Sequence, residues 1–168
     1  SGRDFLADIS SAWETEANNA TTHGVRVVVI RTGIVLAHGG GALASMLLPF
    51  KMGVGGPMGS GKQWWSWIHR DDLVAICLRA ISDNEMVGVY NGTAPHPMRQ
   101  GDFSTVLGNV LHRPAFLPTP AFALKLALGG FSTELLTSKR VMPKRLEEAG
   151  FEFQYPELET ALRQALGR

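Results

Sequence analysis

One cysteine stands in 168 residues, so no internal disulfide can form, and the chain suits a reducing compartment. Tyrosine is nearly as scarce, with only Tyr90 and Tyr155. Four positions after them stand Ala94 and Glu159. A Tyr-x-x-x-Lys dyad, in which an ammonium lowers the phenol's pKa for proton relay at neutral pH, is therefore absent. Cys77 and the histidines show no zinc-ligand spacing, and no metal site is expected. An excess of one charge is missing too. Lys and Arg number 16 against 15 Asp and Glu, a net charge of +1, which gives no electrostatic case for nucleic acid or an acidic membrane. No apolar run approaches the roughly 18–20 residues that span a bilayer. The first residues carry neither the basic segment nor the apolar run of a signal peptide.

What is present is a foldable core, with 45% of residues hydrophobic. Leu6, Ile9, Trp13, Ala17 and Ala20 fall at helical spacing and predict an amphipathic helix over 4–20, with Gly24 as a left-handed cap. Val25 to Ile30, continued by Ile34, Val35 and Leu36, reads as a strand buried on both faces, as in a parallel sheet. Arg31 inside it needs a partner, either a carboxylate from elsewhere in the fold or a ligand at the strand end. A glycine turn at 38–41, a helix over 42–51 and a glycine-rich loop over 53–62 follow. Trp64 to Ile68 is strand-like, with Trp65 and Trp67 on one face as pocket wall or core. Asp71 or Asp72 then caps a helix with Leu73, Ile76, Cys77, Ala80 and Ile81 inward, which makes Cys77 inert core. A short strand over 87–91 and a helix around Phe103 to Leu111 complete an α/β region. From Arg113 the chain turns mostly helical, with segments at 121–128 and 132–138, one between Pro143 and Gly150, and one after Pro156. Phe151 and Phe153 alternate like an extended piece.

Two glycine motifs invite a nucleotide. Gly56 to Gln63 nearly matches the phosphate-binding GxxxxGK[ST], but Gln63 replaces the hydroxyl residue and a strand-like run follows instead of a helix. Gly39-Gly40-Gly41-Ala42-Leu43-Ala44 matches GxGxxA between a strand and a helix, yet about 20 positions on, where an acid should hold the ribose, only Lys62 stands. His96 and His112 read as surface residues. His69, ending the aromatic strand before two aspartates, is either a structural link between strand and helix or a pocket residue.

Arg31-Thr32-Gly33-Ile34-Val35-Leu36, the Gly-Gly-Gly-Ala turn, Leu48-Pro49-Phe50 and Gly59-Ser60-Gly61-Lys62-Gln63-Trp64 form a connected pattern. Ser66-Trp67-Ile68-His69, Asp72-Leu73-Val74, Asn91-Gly92-Thr93-Ala94-Pro95 and Arg113-Pro114 continue it. Lys139-Arg140-Val141-Met142-Pro143, Gly150-Phe151 and Tyr155-Pro156-Glu157-Leu158 complete it. From about Gly2 to Leu166 the sequence resembles epimerase-family proteins of the atypical extended short-chain dehydrogenase/reductase superfamily. Members are named sugar-nucleotide epimerases or cell-division-inhibitor-like proteins.

The resemblance implies an α/β fold: the C-terminal half of a Rossmann-type extended short-chain dehydrogenase/reductase with a small, mostly helical substrate domain. Residues 1–112 would be the latter part of the Rossmann-like domain, with substrate-side insertions at about 38–70. Residues 113–168 would be the helical domain. The family's N-terminal dinucleotide-binding half, with its GxxGxxG loop, is expected to be absent from this chain. The resemblance also implies NADP(H) in the intact protein, with no tight binding by this chain alone. Arg31, Thr32, Gly33, Ile34 and Val35 would pass the nicotinamide, and Gly39, Gly40, Gly41, Gln63, Trp65 and His69 would border the substrate. No catalytic residue carries over, because Leu6 and Ser10 stand roughly where Tyr and Lys would sit. Trp65 replaces an arginine that grips a phosphate four positions before the His in sugar-nucleotide epimerases. The implied function is the substrate side of an NADP(H)-dependent oxidoreductase or epimerase acting on a small carbonyl or sugar nucleotide. The alternative is an inert nucleotide-sensing or scaffold protein on the same fold. Expected partners are the missing N-terminal half or a self-associating copy, and a small-molecule substrate. The expected location is the cytoplasm, or an organelle stroma or matrix if a transit peptide precedes the chain.

Overall fold

A computed structural model describes residues 5–120, 126 and 131–168. Helix α1 (Phe5–Asn19) leads through a 3-10 turn to Gly24, whose φ of 74° lets the chain reverse. Strands β1 (Val28–Thr32) and β2 (Ile34–Leu36) then precede helix α2 (Gly41–Lys51). Next come β3 (Trp64–Trp65), β4 (Trp67–His69), helix α3 (Arg70–Ser82), β5 (Gly88–Gly92), β6 (Met98–Arg99) and helix α4 (Gln100–Leu111). Helices α5 (Phe131–Leu136), α6 (Lys144–Glu148) and α7 (Leu158–Ala165) follow. The helix expected at 121–128 lies almost wholly outside the described residues. No strand forms at Phe151 and Phe153; instead their rings meet edge-on, 4.9 Å apart.

The expected single strand over 25–36 is two strands that share a fork at Gly33. Upstream, β1 pairs in parallel with β5, Val28 opposite Gly88 through Thr32 opposite Gly92. Downstream, β2 pairs in parallel with β4, Ile34 opposite Trp67. The switch is visible in the amides: Gly33 N donates to Gly92 O (3.0 Å), while Ile34 N donates to Ser66 O (2.8 Å). Ala94 N donates to Trp67 O (2.6 Å), so β4 enters between β2 and the chain leaving β5. A Cβ at position 33 would lie 2.5 Å from Ser66 O and 3.0 Å from the Thr93 methyl. Only glycine fits where three backbones converge. The strand is also less buried than its sequence implies: Val28 to Ile30 are half-buried and Arg31 and Thr32 exposed. The α1 stripe is likewise not a core face, since Trp13 is exposed.

Two apolar clusters flank the strands. The larger gathers Leu36, Phe50, Trp65, Trp67, Phe103 and Leu107 with the inner face of α7. Trp65 meets Phe103 edge-on at 5.2 Å. Leu158, Ala161, Leu162 and Ala165 face inward as the helical spacing requires. The smaller joins Ile68, Ile76, Met86, Tyr90 and Leu146.

Helix α3 corrects two expectations. Its N-cap is His69, whose Nδ1 accepts from Asp71 N (3.2 Å), not Asp71 or Asp72. Asp72 is instead buried. Its two oxygens accept from Gln154 N (2.7 Å) and Tyr155 N (3.0 Å), tying the approach to α7 against α3. Cys77 and Ile81 lie on the solvent side, because the buried stripe narrows to Asp72, Ile76 and Ala80. Arg26 closes the other end of α3, donating to Ala80 O (2.8 Å), Ile81 O (3.2 Å) and Met86 O (2.9 Å).

Replacing Gly33 by Ala should destabilise the fold by about 1–3 kcal/mol, the scale of overpacking against fixed backbone. Gly24→Ala meets no atom within 4 Å and bears only the left-handed penalty, about 1 kcal/mol. Urea unfolding midpoints compare the two; a smaller loss at position 33 than at 24 would contradict the fork as the tighter constraint.

Candidate functional site

The backbone beside the fork borders an open groove of about 1370 Å³. Val28 to Val35 form its floor, and Ser10, Glu14 and Ala17 of α1 one wall. Trp64, Trp65 and Ser66 stand at its far end with the segment Thr137 to Met142. A smaller cavity, about 370 Å³ between Met98, Val106 and the start of α7, brings together none of the expected site residues.

The segment after α5 is held as a strap. Trp64 N donates to Ser138 Oγ (3.0 Å), and Lys139 N donates to Trp64 O (3.1 Å). The Ser66 hydroxyl donates to Lys139 O (2.9 Å) and accepts from Val141 N (2.8 Å). Asn91 Nδ2 reaches Met142 O (3.0 Å). Ser66 therefore serves twice: its carbonyl fixes the fork and its hydroxyl fixes the strap. The Trp65 indole N donates to Leu135 O (3.0 Å), anchoring α5 to the same end.

Six of the expected site residues meet here: Arg31, Thr32, Gly33, Ile34, Val35 and Trp65. Five do not line the groove. The turn Gly39, Gly40 and Gly41 leads into α2, whose Ala42 is the residue that reaches the groove. Gln63 is buried, its amide donating to Met58 O (3.0 Å) and Leu135 O (3.4 Å). His69 is buried as well, capping α3 through Nδ1, contacting Gln164 Oε1 through Nε2 (2.7 Å) and lying 4.1 Å from the Tyr155 ring. Both ring nitrogens are thus spent inside the fold, which is the structural reading of this histidine. Lys139 to Met142 belong to the motif pattern, but their role as a strap was not legible, because the stretch carries no periodic signal.

Arg31 is exposed and its partner is Glu14, joined by two hydrogen bonds of 2.7 and 2.6 Å. This fork-to-carboxylate pair spans from β1 to α1 across the groove. The Arg31 hydrogen bond holds the Glu14 carboxyl below its ordinary value, partial burial opposes this, and the attraction of the charges adds to it. Arg31 is raised, chiefly by the same hydrogen bond.

The groove floor includes Thr32, which is exposed, and Gly33, Ile34 and Val35, which are half-buried. Glu14, the one carboxylate among the described lining residues, is occupied by Arg31, so none of those residues offers a free acid to hold a ribose. A phosphate-binding glycine loop is not among the lining residues either.

Residues 119–165 match the family model described as a domain of unknown function, DUF1731. Over 163 residues the chain is 50% identical to the chloroplastic epimerase family protein SDR39U1 homolog of Arabidopsis thaliana, covering 97% of this chain and 47% of the plant protein. It is 45% identical to an epimerase family protein of Staphylococcus saprophyticus, covering 95% of this chain and 53% of that protein. The crystal structure of human epimerase family protein SDR39U1 (isoform 2) with NADPH superposes with a TM-score of 0.81 at 40% identity, over 86% of this chain and 49% of the human one. The nucleoside-diphosphate sugar epimerase from Corynebacterium glutamicum superposes with a TM-score of 0.77 at 34% identity, over 99% of this chain and 32% of that one. The chain spans about half the length of the plant and bacterial relatives it matches.

The Glu14–Arg31 pair sets a pH dependence for α1. Because the folded carboxyl lies below its unfolded value, the pair's stabilisation is complete above the ordinary carboxylate range and is lost as pH falls through the lowered value. The pair is partly exposed, so its loss should be at most about 1 kcal/mol. Protection factors across 8–19, that is amide exchange corrected for its intrinsic pH dependence, should fall on acidification in the native chain and be already low, and flat across this range, in Glu14→Gln. An equal acid response in both would remove the pair as its cause.

Proposed function

We propose that this chain, which belongs to the epimerase family on the extended short-chain dehydrogenase/reductase fold, forms the substrate side of an NADP(H)-dependent oxidoreductase or epimerase. A small carbonyl compound or a sugar nucleotide is the substrate class. The observation that carries the reading is the groove itself, which brings the Thr32–Val35 strand end, Trp65 and the strap to one opening. The human relative, whose structure was determined with NADPH, supports the cofactor.

When bound, the nicotinamide supplies hydride transfer, and the protein's share is placement and exclusion of water. Thr32 to Val35 offer the surface for the ring. Trp65 and the strap close the far end, where a substrate would be oriented. The position that would supply the relay's lysine is Ser10, on the α1 wall of the groove. A serine has no ammonium to lower a phenol's pKa, so the proton must move by another group or through water.

Beyond pairing with β5, β1 has no second strand neighbour among the described residues, and it runs along the groove. Such an edge offers unpaired backbone donors and acceptors and accepts a further strand. The partner we assign to it is the remaining half of the relatives' length, or failing that a second copy of this chain. The missing tyrosine and lysine favour a second reading, a protein that binds the nucleotide without turnover.

Titrating the full-length protein with NADPH by calorimetry tests the first reading. Saturable binding, weakened by Thr32→Trp, is expected; absence of binding would reject the cofactor. Binding without turnover on any carbonyl or sugar-nucleotide substrate would favour the second reading. The isolated 168-residue chain should associate or bind NADPH poorly. A monodisperse monomer with affinity equal to the full-length protein's would refute the assigned partner.

A further inference from the structure

The end of the groove at Trp64 carries a cationic arrangement that the cofactor reading does not use. Trp64 and Arg99 are directly opposed across the β3–β6 pair. The Arg99 guanidinium lies 4.0 Å from the indole centroid and also donates to Lys62 O. Arg140, carried by the strap, lies 4.8 Å from the same ring. Two guanidinium groups thus share one indole, whose electron-rich face attracts each of them. Neither forms an ion pair with a carboxylate among the described residues. The Arg140 side chain makes no hydrogen bond to a described residue either, so its planar fork of donors is unspent. Arg140, Lys139 and Trp64 all line the groove.

This placement has a cause. The strap is fixed on both sides of Arg140 by the bonds from Lys139 and Val141 to Trp64 and Ser66. The guanidinium is therefore delivered to the groove by a backbone bonded on both sides of it. Two like charges held on one ring repel, and a doubly charged anion between or beside them relieves that repulsion. Arginine forks match phosphate oxygens in pairs.

We propose that Arg140 and Arg99, stacked on Trp64, form a subsite for the phosphorylated end of the substrate. They would replace, from the strap and β6, the cation that is missing at Trp65. The proposal rests on the groove being the substrate site, and it narrows the substrate to a phosphate ester or diphosphate; a neutral carbonyl compound would not use it.

Inorganic pyrophosphate is the probe, titrated calorimetrically into the full-length protein at constant ionic strength. One saturable site is expected. Arg140→Gln and Arg99→Gln should each weaken it about tenfold, the scale of one charge-assisted contact. Arg140→Lys should keep the charge but recover only part of the affinity. Arg113→Gln is a charge-matched control, since Arg113 bonds to Lys51 O elsewhere on the surface. Far-ultraviolet circular dichroism checks folding, and the lysine variant keeps the test decisive if a glutamine variant misfolds. No saturable binding, or equal weakening by Arg113→Gln, overturns the subsite. NADPH titrations of the same variants separate the two readings. Cofactor binding without pyrophosphate binding removes the subsite alone, and the reverse removes the cofactor alone.

Discussion

The contact on which the rest depends is the passage of Ser66 across Gly33. A Cβ there would stand 2.5 Å from the Ser66 carbonyl, well inside contact distance. Because position 33 has none, the amide of Ile34 can take that carbonyl while Gly33 itself still donates to Gly92. One residue thus hands the strand from β5 to β4. The fork opens the sheet, and the exposed stretch beside it becomes the groove floor. The same serine then uses its hydroxyl to hold the strap. Floor and far wall are therefore set by two groups of a single residue, and the two cannot move independently.

A second set of buried polar contacts carries this geometry to the C-terminal helices. Asp72 accepts two backbone N–H groups just before α7, and His69 caps α3 while contacting Gln164 of α7. A buried carboxylate is costly unless such donors meet it, so the pair of bonds fixes position as well as energy. Through them the apolar face of α7 seats against Trp65, Trp67 and Phe103.

The sequence showed some of this and hid the rest for physical reasons. Helices α4 and α7 were legible because their apolar residues repeat at helical spacing. Gly24 and Gly150 were legible as left-handed stops, with φ of 74° and 64°. The fork was not: a run of β-branched residues looks the same whether it pairs with one neighbour or changes neighbours midway, and Gly33 looked like part of a motif. Cys77 was misplaced because α3 presents apolar residues on two faces, Ile76 and Ala80 inward but Val74, Leu78 and Ile81 outward. Periodicity cannot rank two apolar stripes. Of the residues that the resemblance implies, Arg31 to Val35 and Trp65 line the groove, whereas Gln63 and His69 do not. Their side chains point into the core, where their polar atoms find backbone and Gln164.

The groove's position on a strand edge links its two proposed uses. Val28 to Thr32 supply both the unshared edge of β1 and much of the groove floor. A strand added at that edge would narrow the groove beside α1. Glu14 and Arg31 already bridge α1 to this edge, and their bond is too exposed to hold a helix by itself. Whatever pairs with β1 binds only the folded arrangement and so stabilises it by mass action. Strand pairing and ligand binding then draw on one conformational equilibrium. A ligand that needs the narrowed groove must bind more tightly once the edge is filled, and must in turn favour its filling.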